Sequence, residues 1–289
     1  MSGRRARRRA PVPDLAGRRC VLTGAASGIG RATAIAAAAR GAELFLTDRD
    51  SAGLERVVAE IGAAGGAVGA HGVADVADHE AVVALAERFH SVAPAMDVVM
   101  NIAGIAIWGT VEDLEHEHWR RAIDVNLVGP ISVLECFLPP MIAAGRGGHV
   151  VNVSSVAGLF GLPRHAPYSA GKFGLRGVSE VLRFDLRKHR IGVSLVCPGA
   201  VSTPLVGTVE MIGIDRERPR VKKLTERFER RAVSPEHVAE RIIDGVERNR
   251  YLVFTSPDGR IGHWVQRKFA PPYELAMRLM SRELDRAAG

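Results

Sequence analysis

Short apolar runs alternate with amphipathic helical patterns along most of the chain. The apolar runs are rich in Val, Leu and Ile, which is typical of strands buried on both faces of a sheet. They predict strands at Arg19–Thr23, Glu43–Thr47, Ala67–Gly72, Asp97–Asn101, His149–Ser154, Gly192–Cys197 and Tyr251–Phe254. Spacings of three and four residues predict helices at Gly28–Arg40, Ser51–Ala63, Asp78–Val92, His116–Leu138, Tyr168–His189 and Pro235–Asn249. This alternation favours one α/β domain over residues 17–255, with a seven-stranded, doubly wound parallel sheet flanked by helices.

Three segments fall outside this alternation. Residues 1–16 carry a cluster of arginines and end in Pro11 and Pro13, so we expect a flexible basic arm. Residues 202–232 run from an apolar patch into a charged stretch, which favours a lid over a site against a surface excursion without a role. Residues 256–289 form a C-terminal extension, expected to pack an amphipathic helix on this chain or on a partner. The lid residues are Leu205, Val206, Val209, Met211, Ile212 and Ile214, and the helix-spaced positions are Tyr273, Met277, Met280 and Leu284.

Composition and charge restrict the possible functions. The net charge is +7, but five arginines lie within the first ten residues, and without them +2 remains. The basicity therefore belongs to the arm, and we expect no specific nucleic-acid partner. Cys20, Cys136 and Cys197 lie in apolar runs, which is typical of free thiols in a reducing, cytoplasmic compartment. No apolar stretch is long enough for a membrane span, so none is expected.

The first predicted strand is followed by a glycine-rich turn, Gly24-Ala25-Ala26-Ser27-Gly28-Ile29-Gly30, and then by an Ala-rich helix. Gly24 can make the tight turn, Gly28 lets a ligand approach the backbone, and Gly30 lets the helix pack closely on the strand. The order of strand, turn and helix predicts a phosphate site at the helix N-terminus. A purely structural turn is the alternative.

An acidic residue, Asp48, ends the second predicted strand. A carboxylate there can accept hydrogen bonds from an adenosine ribose and repels a 2′-phosphate, so we expect NAD rather than NADP. Arg49 complicates this inference, because a guanidinium can serve a 2′-phosphate if Asp48 turns away. Asp75 and Val76 follow the third strand, where they either bracket an adenine ring or mark an ordinary helix N-cap.

Tyr168 and Lys172 lie four residues apart in a helical pattern, so they share one face. An ammonium beside a phenol lowers the phenol's pKa towards working pH, which makes Tyr168 a candidate acid and base. The run Glu115-His116-Glu117-His118 is not a metal site, because alternate helical residues point apart, and we expect no metal.

These motifs and several others occur in the order of one known family. They are Thr23-Gly24-x-x-x-Gly28-x-Gly30, Asn101-Ile102-Ala103-Gly104, Asn126-Leu127-Val128-Gly129, Asn152-Val153-Ser154-Ser155, Tyr168-x-x-x-Lys172 and Pro198-Gly199-Ala200-Val201-Ser202-Thr203-Pro204. The chain thereby resembles the compact, non-extended short-chain dehydrogenases/reductases over residues 17–255, which implies a Rossmann-type fold. Ile102 departs from the family, which usually has a second Asn there, and we expect little perturbation.

The resemblance implies NAD(P)-dependent interconversion of an alcohol and a carbonyl. It makes Tyr168 the acid and base, Lys172 its partner and a ligand of the nicotinamide ribose, and Ser155 the donor to the substrate oxygen, with Ser154 as the alternative. Asn126 would hold a water that links Lys172 to solvent, and Thr203 the nicotinamide carboxamide. The expected cofactor-binding residues are Thr23, Gly24, Ser27, Gly28, Ile29, Gly30, Asp48, Arg49, Asp75, Val76, Asn101, Ala103, Gly104, Tyr168, Lys172, Pro198, Gly199, Val201 and Thr203. A homo-oligomer, tetramer or dimer, is also implied.

The substrate is expected to be an apolar secondary alcohol or ketone, such as a steroid, terpenoid or acyl derivative. This expectation rests on apolar residues just after predicted strand ends, which can equally be core: Ile105, Ile107, Trp108, Leu159, Phe160 and Leu162. A non-catalytic redox sensor that binds the dinucleotide is the alternative, which the intact set of Ser155, Tyr168 and Lys172 disfavours.

Overall fold

The computed structural model describes residues 11–203 and 208–288 of the chain. Its core is a seven-stranded sheet in which every described pair is parallel, in the order β3-β2-β1-β4-β6-β7-β9. The strands are β1 (Arg19–Thr23), β2 (Glu43–Asp48), β3 (Ala67–Val73), β4 (Val98–Asn101), β6 (Gly148–Val153), β7 (Ile191–Cys197) and β9 (Leu252–Phe254). All seven predicted strands are confirmed, with ends that shift by at most one residue, and the fold is of the Rossmann type.

Helices cover both faces of this sheet. They are α1 (Gly28–Ala38), α2 (Ser51–Ala63), α3 (His79–Val92), α4 (His116–Ile123), α5 (Gly129–Ala144), α6 (Ala166–Asp185), α7 (Pro219–Glu229), α8 (Pro235–Glu247), α9 (Pro257–Lys268) and α10 (Ala270–Ala288). Side chains alternate across each strand, so β2 sends Leu44 and Leu46 into the layer with α1 and α8. Phe45 points the other way and packs edge-on against Phe89 of α3, with ring centroids 5.5 Å apart.

Part of the segment expected to be a flexible arm, residues 11–16, is packed on the core. Val12 and Leu15 are 1% and 0% exposed and belong to the core layer of α1 and α8. Burying these two apolar side chains fixes the chain well before β1 begins. The five arginines of the arm lie outside the described residues.

The predicted helix His116–Leu138 is interrupted and longer than expected. A π-helical segment, Asp124–Val128, separates α4 from α5, and α5 continues through Pro139 and Pro140. Pro140 has no N–H for the Cys136 carbonyl, and that carbonyl instead accepts a hydrogen bond from His90 Nε2 at 3.3 Å. This external donor removes part of the cost of the interior prolines.

The unit His116–Ala144 is the one helix in the described part of the chain that is long and apolar enough to cross a membrane. The expectation that no such stretch exists is therefore wrong. The same apolar character also suits a core helix, since Val133, Phe137 and Met141 pack against the sheet layer of α3.

The segment predicted as a lid contains two short elements. Strand β8 (Glu210–Met211) pairs in parallel with β5 (Ile107–Trp108), and α7 follows it. Leu205 and Val206 lie outside the described residues. At the C-terminus, α10 turns the side chains of Tyr273, Met277 and Leu284 inwards, whereas Met280 is 38% exposed.

The C-terminal helix packs on this chain. The Tyr273 hydroxyl donates to the Gly161 carbonyl at 3.1 Å, and Arg164 pairs with Asp285 at 3.0 Å. Arg227 of α7 pairs with Glu283 at 3.6 Å, so α10 also contacts the lid segment. The three cysteines are free, and Cys136 is only half-buried.

Candidate functional site

The carboxyl ends of β1, β4, β6 and β7 border two adjoining cavities, of about 380 and 180 Å³. The larger one is lined by the glycine-rich turn and is called the nucleotide groove below. The smaller one contains the predicted catalytic residues and is called the catalytic cavity. Both are lined by Ile29, Ile102, Gly104 and Thr203, so the two spaces meet.

The glycine-rich turn has the backbone that its sequence predicts. Gly24 has φ +73°, and a Cβ there would lie 2.9 Å from Ala103 backbone atoms; Gly28 has φ +50°. A Cβ on Gly30 would collide with the Gly24 carbonyl. Ser27 precedes α1 without a side-chain capping bond, so the first N–H groups of the helix remain available to a ligand. These donors, together with the helix dipole, fit the pyrophosphate of a dinucleotide.

Asp48 is held in place at the edge of the nucleotide groove. Its carboxylate accepts hydrogen bonds from the Ala26 and Asp50 N–H groups, each at 2.9 Å. Each oxygen retains a lone pair for a ribose hydroxyl. Arg49 also lines the groove and is exposed, without a hydrogen-bond or ion-pair partner among the described residues.

Asp75 and Val76 line the same groove, but Asp75 is not a helix cap. The N-cap of α3 is Asp78, whose side chain accepts from Ala81 N–H. Asp75 instead accepts from Ala77 N–H at 2.9 Å, in a tight turn that holds Val76 beside the groove. Gly129 permits this arrangement, since a Cβ there would lie 2.9 Å from the Val76 carbonyl oxygen.

Two residues expected to bind the cofactor lie behind the groove. The Thr23 hydroxyl accepts from the N–H groups of Ile102 and Ala103 at 3.1 and 3.2 Å, so it shapes the backbone that the cofactor would meet. Asn101 is 2% exposed and donates to the Asn152 side chain at 2.9 Å, which ties β4 to β6. Both side chains are buried and hold in place the backbone that surrounds the groove.

Tyr168, Ser155 and Lys172 meet in the catalytic cavity. Burial raises the pKa of the Tyr168 phenol, and a hydrogen bond with the Ser155 side chain opposes this. Burial also lowers the pKa of Lys172 to about 8. The Lys172 ammonium lies 5.7 Å from the Tyr168 ring centroid and donates to the Val153 carbonyl at 3.0 Å. Burial therefore outweighs the effects that lower the Tyr168 pKa, and a lowering of that pKa by Lys172 stays a prediction.

The remaining catalytic candidates surround Lys172. Ser154 donates to the Lys172 carbonyl at 2.9 Å, which leaves Ser155 as the hydroxyl beside Tyr168. The Asn126 side chain donates to the Ala122 and Ile105 carbonyls at 2.9 and 3.0 Å. A Cβ on Gly104 would lie 2.9 Å from Asn126 Oδ1 and 3.2 Å from Lys172 Nζ, so both polar groups border the same small space. Pro198, Gly199 and Val201 line the catalytic cavity rather than the nucleotide groove.

The apolar residues expected at the site separate into two groups. Trp108 and Leu162 line the catalytic cavity, and Ile105 lines the nucleotide groove. Ile107, Leu159 and Phe160 are core residues, each no more than 9% exposed and absent from both linings. They are buried because β5 and the turn after β6 pack inwards.

Sequence reasoning missed His165 and Phe228, which line the catalytic cavity. The signal for His165 was its position one helical turn before Tyr168, on the same side of α6. Phe228 gave no local signal, since its approach depends on how α7 folds back. Val209 was predicted as a lid residue and also lines this cavity.

Comparison with known proteins connects this geometry to a family. A family model described as short chain dehydrogenase matches residues 18–211. The Mycobacterium tuberculosis protein EphD is 36% identical over 241 residues, which are 82% of this chain but only 40% of EphD. The chain thus spans less than half the length of that relative.

Two further proteins match over most of their lengths. Trans-4-hydroxycyclohexanecarboxylate dehydrogenase of Sinomonas cyclohexanicum is 35% identical over 221 residues, covering 71% of this chain and 82% of that protein. The crystal structure of a short-chain dehydrogenase/reductase from Burkholderia phymatum in complex with NAD has a TM-score of 0.78 at 28% identity, over 88% of this chain and 95% of the other. On the family match and these similarities, the chain belongs to the short-chain dehydrogenase/reductase family.

Proposed function

We propose that this oxidoreductase interconverts a secondary alcohol and a ketone, with NAD as its preferred cofactor and Tyr168 as the acid and base. The observation that carries the proposal is the meeting of Tyr168, Ser155 and Lys172 in one cavity that opens into a nucleotide groove. A dinucleotide in that groove would supply or accept the hydride. A non-catalytic sensor has no need for such a buried constellation.

The positions of these side chains support a direct route for the proton between Tyr168 and the substrate oxygen. Ser155 and Tyr168 hydrogen-bond the substrate oxygen, where negative charge develops during hydride transfer. In reduction the phenol of Tyr168 donates its proton to that oxygen, and in oxidation the phenolate accepts the alcohol proton. Lys172 favours the phenolate by its charge, and the space shared with Asn126 admits a water that passes the proton outwards.

The position of Asp48 supports the preference for NAD. Its carboxylate is fixed by the Ala26 and Asp50 N–H groups, so turning away to admit a 2′-phosphate would break two hydrogen bonds. Arg49 remains the feature that favours NADP, since its guanidinium is exposed at the groove. Negative charge fixed at this edge repels the additional phosphate.

The lining of the catalytic cavity supports a compact, largely apolar substrate. Its walls include Trp108, Leu162, Val209 and Phe228. At about 180 Å³ it is smaller than typical ligand pockets of ~300–1,000 Å³, so a single-ring or short-chain alcohol fits better than a steroid. The name of the Sinomonas relative describes dehydrogenation of a hydroxylated ring, which agrees with this size.

Screening the purified protein against secondary alcohols tests the proposal. Nicotinamide absorbance is followed with NAD and with NADP over single-ring, branched-chain and steroid alcohols. We expect NAD-dependent turnover that is highest for compact apolar alcohols. NAD binding without turnover of any alcohol or reduction of any ketone would favour the sensor.

A further inference from the structure

Helices α7 and α10 border a cleft of about 880 Å³ whose walls are rich in arginine and lysine. Two carboxylates, Glu226 and Glu283, also line it, against six cationic side chains, so four positive charges are in excess. The cations belong to α7, to the residue that follows it and to α10: Arg220, Lys223, Arg227, Arg230, Arg282 and Arg286. This surplus makes the cleft a candidate site for a ligand with negative charge.

Several of these cations are not paired within the described part of the chain. An ion pair of Arg227 with Glu283, at 3.6 Å, joins the two walls of the cleft. Lys223, Arg230 and Arg282 have no hydrogen-bond or ion-pair partner among residues 11–203 and 208–288. Like charges that share a cleft repel one another, so a ligand that brings negative charge would stabilise this arrangement.

The outward side of α10 combines this charge with exposed apolar side chains. Leu275 and Leu279 are 59% and 55% exposed, and Leu279 also lines the cleft. Spacings of four and three residues place both leucines on the side of Arg282, opposite the inward-facing Tyr273 and Met277. Leucines next to arginines on one side of a helix are typical of helices that lie in the interface of a membrane.

The two properties together favour a lipid surface over other ligands with negative charge. Nucleic acids and free phosphates would neutralise the cations, but they offer no apolar phase to the leucines. A second copy docked about a twofold axis would set the excess of positive charge against itself. An anionic phospholipid layer supplies both a phosphate for the cleft and hydrocarbon for Leu275 and Leu279.

We propose that α7 and α10 form a docking surface for an anionic membrane, with lipid phosphates held in the cleft between the two helices. Phe228 also belongs to α7, and its side chain lines the catalytic cavity. Docking would therefore hold one wall of the catalytic cavity near the lipid, from which an apolar alcohol can enter. This consequence rests on the proposed function, whereas membrane binding itself does not.

Sedimentation of the full-length protein with lipid vesicles tests the docking surface. One set of vesicles is phosphatidylcholine alone, and in the other about one third of the lipid is anionic phosphatidylglycerol. We expect wild type to sediment with the anionic vesicles only, and high salt to weaken this binding by screening.

Two double variants separate the charge of the docking surface from its apolar part. Lys223→Gln with Arg282→Gln should weaken binding to anionic vesicles by roughly 25-fold, at about fivefold per cation. Leu275→Ser with Leu279→Ser should weaken it by at least about tenfold, because the contact of both leucines with hydrocarbon is lost. Thermal unfolding and NAD affinity show whether each variant is folded.

Matched controls lie elsewhere on the surface. Arg187→Gln with Lys188→Gln removes two exposed cations just before β7 begins, at the sheet edge opposite the site. Val92→Ser removes an apolar side chain that is 54% exposed at the end of α3. Both controls should bind anionic vesicles within about twofold of wild type, since charges beyond a Debye length are screened.

Three results would overturn the proposal. The first is wild type that does not sediment with anionic vesicles, or variants of the cleft that bind as wild type does, which would leave any binding to the arginines of the arm. The second is a loss in the charge variant but not in the leucine variant, which would indicate a cleft for free polyanions. The third is a smaller oligomer for the leucine variant in light scattering, which would show that a second copy covers this face. None of these readouts needs turnover, so failure of the proposed function in the alcohol screen is a separate result.

Discussion

At the scale of residues, burial sets the charge states in the catalytic cavity. It raises the pKa of Tyr168, so the phenol keeps its proton at neutral pH, and it lowers that of Lys172 to about 8. Tyr168 is therefore prepared as a proton donor for ketone reduction. Alcohol oxidation instead requires the phenolate, which is the minor form at pH 7.

This difference predicts opposite pH dependences for the two directions. Because the Tyr168 pKa is raised, the phenolate fraction grows up to tenfold per pH unit, and kcat/KM for oxidation should rise from pH 6 to 8. Above about pH 8 Lys172 loses its charge, so the rise should level off. The kcat/KM for ketone reduction should be constant around neutral pH and should decline at higher pH, where the phenol loses its proton. A deuterium isotope effect confirms that hydride transfer is being measured, and an oxidation rate independent of pH would contradict this assignment.

The second prediction at the scale of residues concerns Asp48 and the preference for NAD over NADP. Asp48→Asn keeps an acceptor for the ribose but loses the charge, and Asp48→Ala loses both. Each variant should raise the ratio of kcat/KM with NADP to kcat/KM with NAD by about tenfold, or ~1.4 kcal/mol. Only Asp48→Ala should also lower the affinity for NAD markedly. Higher wild-type efficiency with NADP, lost in Arg49→Ala, would show that the guanidinium decides the preference.

At the scale of elements, periodic apolar patterns were sufficient for the main strands and helices and insufficient for the site's fine structure. All seven strands of the main sheet were predictable because most of them are short apolar runs between helical patterns. The π-helical segment at Asp124–Val128, which holds Asn126, was not, since a helical pattern does not reveal one inserted residue. The pair β5–β8 depends on contacts between distant residues, so the lining role of Val209 and Phe228 was only partly foreseeable.

A prediction at the scale of elements concerns which lid residues contact the substrate. Met211 and Ile212 were expected to cover the substrate, but neither lines the catalytic cavity, whereas Val209 and Phe228 do. Along a series of secondary alcohols, each added methylene should gain at most about 0.8 kcal/mol, or roughly fourfold in kcat/KM, until the cavity is full. Val209→Ala with Phe228→Ala should flatten that rise, with NAD affinity unchanged.

Met211→Ser is the control for this element, because Met211 lies on β8, two residues after Val209, and outside the cavity lining. It should leave the dependence on chain length as in wild type. Equal dependence in the double variant and in wild type would mean that these lid residues do not cover the substrate.

At the scale of the whole molecule, we propose a homo-oligomer that assembles through α6. Phe173, Val181 and Phe184 are 39%, 59% and 62% exposed, at spacings of eight and three residues that place them on one side of the helix. The opposite side, with Leu175 and Ser179, is buried against the sheet. An apolar stripe on a helix is typical of a surface covered in the assembled protein.

Light scattering at micromolar concentration tests this assembly. We expect wild type to be a tetramer or dimer, and Val181→Glu with Phe184→Glu to shift it towards smaller species, because the charges would be buried at the interface. Glu180→Gln, beside the stripe, should leave the mass unchanged. A wild-type monomer would contradict the proposal.

The proposed function depends most directly on the Tyr168 hydroxyl, and a single substitution isolates the role of that group. Tyr168→Phe removes one oxygen from the catalytic cavity and keeps the ring, so NAD affinity should stay within about twofold while kcat falls by roughly 10²–10⁴ in both directions. Tyr251→Phe is the matched control, since the Tyr251 hydroxyl is buried outside both cavities without a partner in the described structure. Near-wild-type turnover by folded Tyr168→Phe protein would contradict the assignment of Tyr168 as the acid and base.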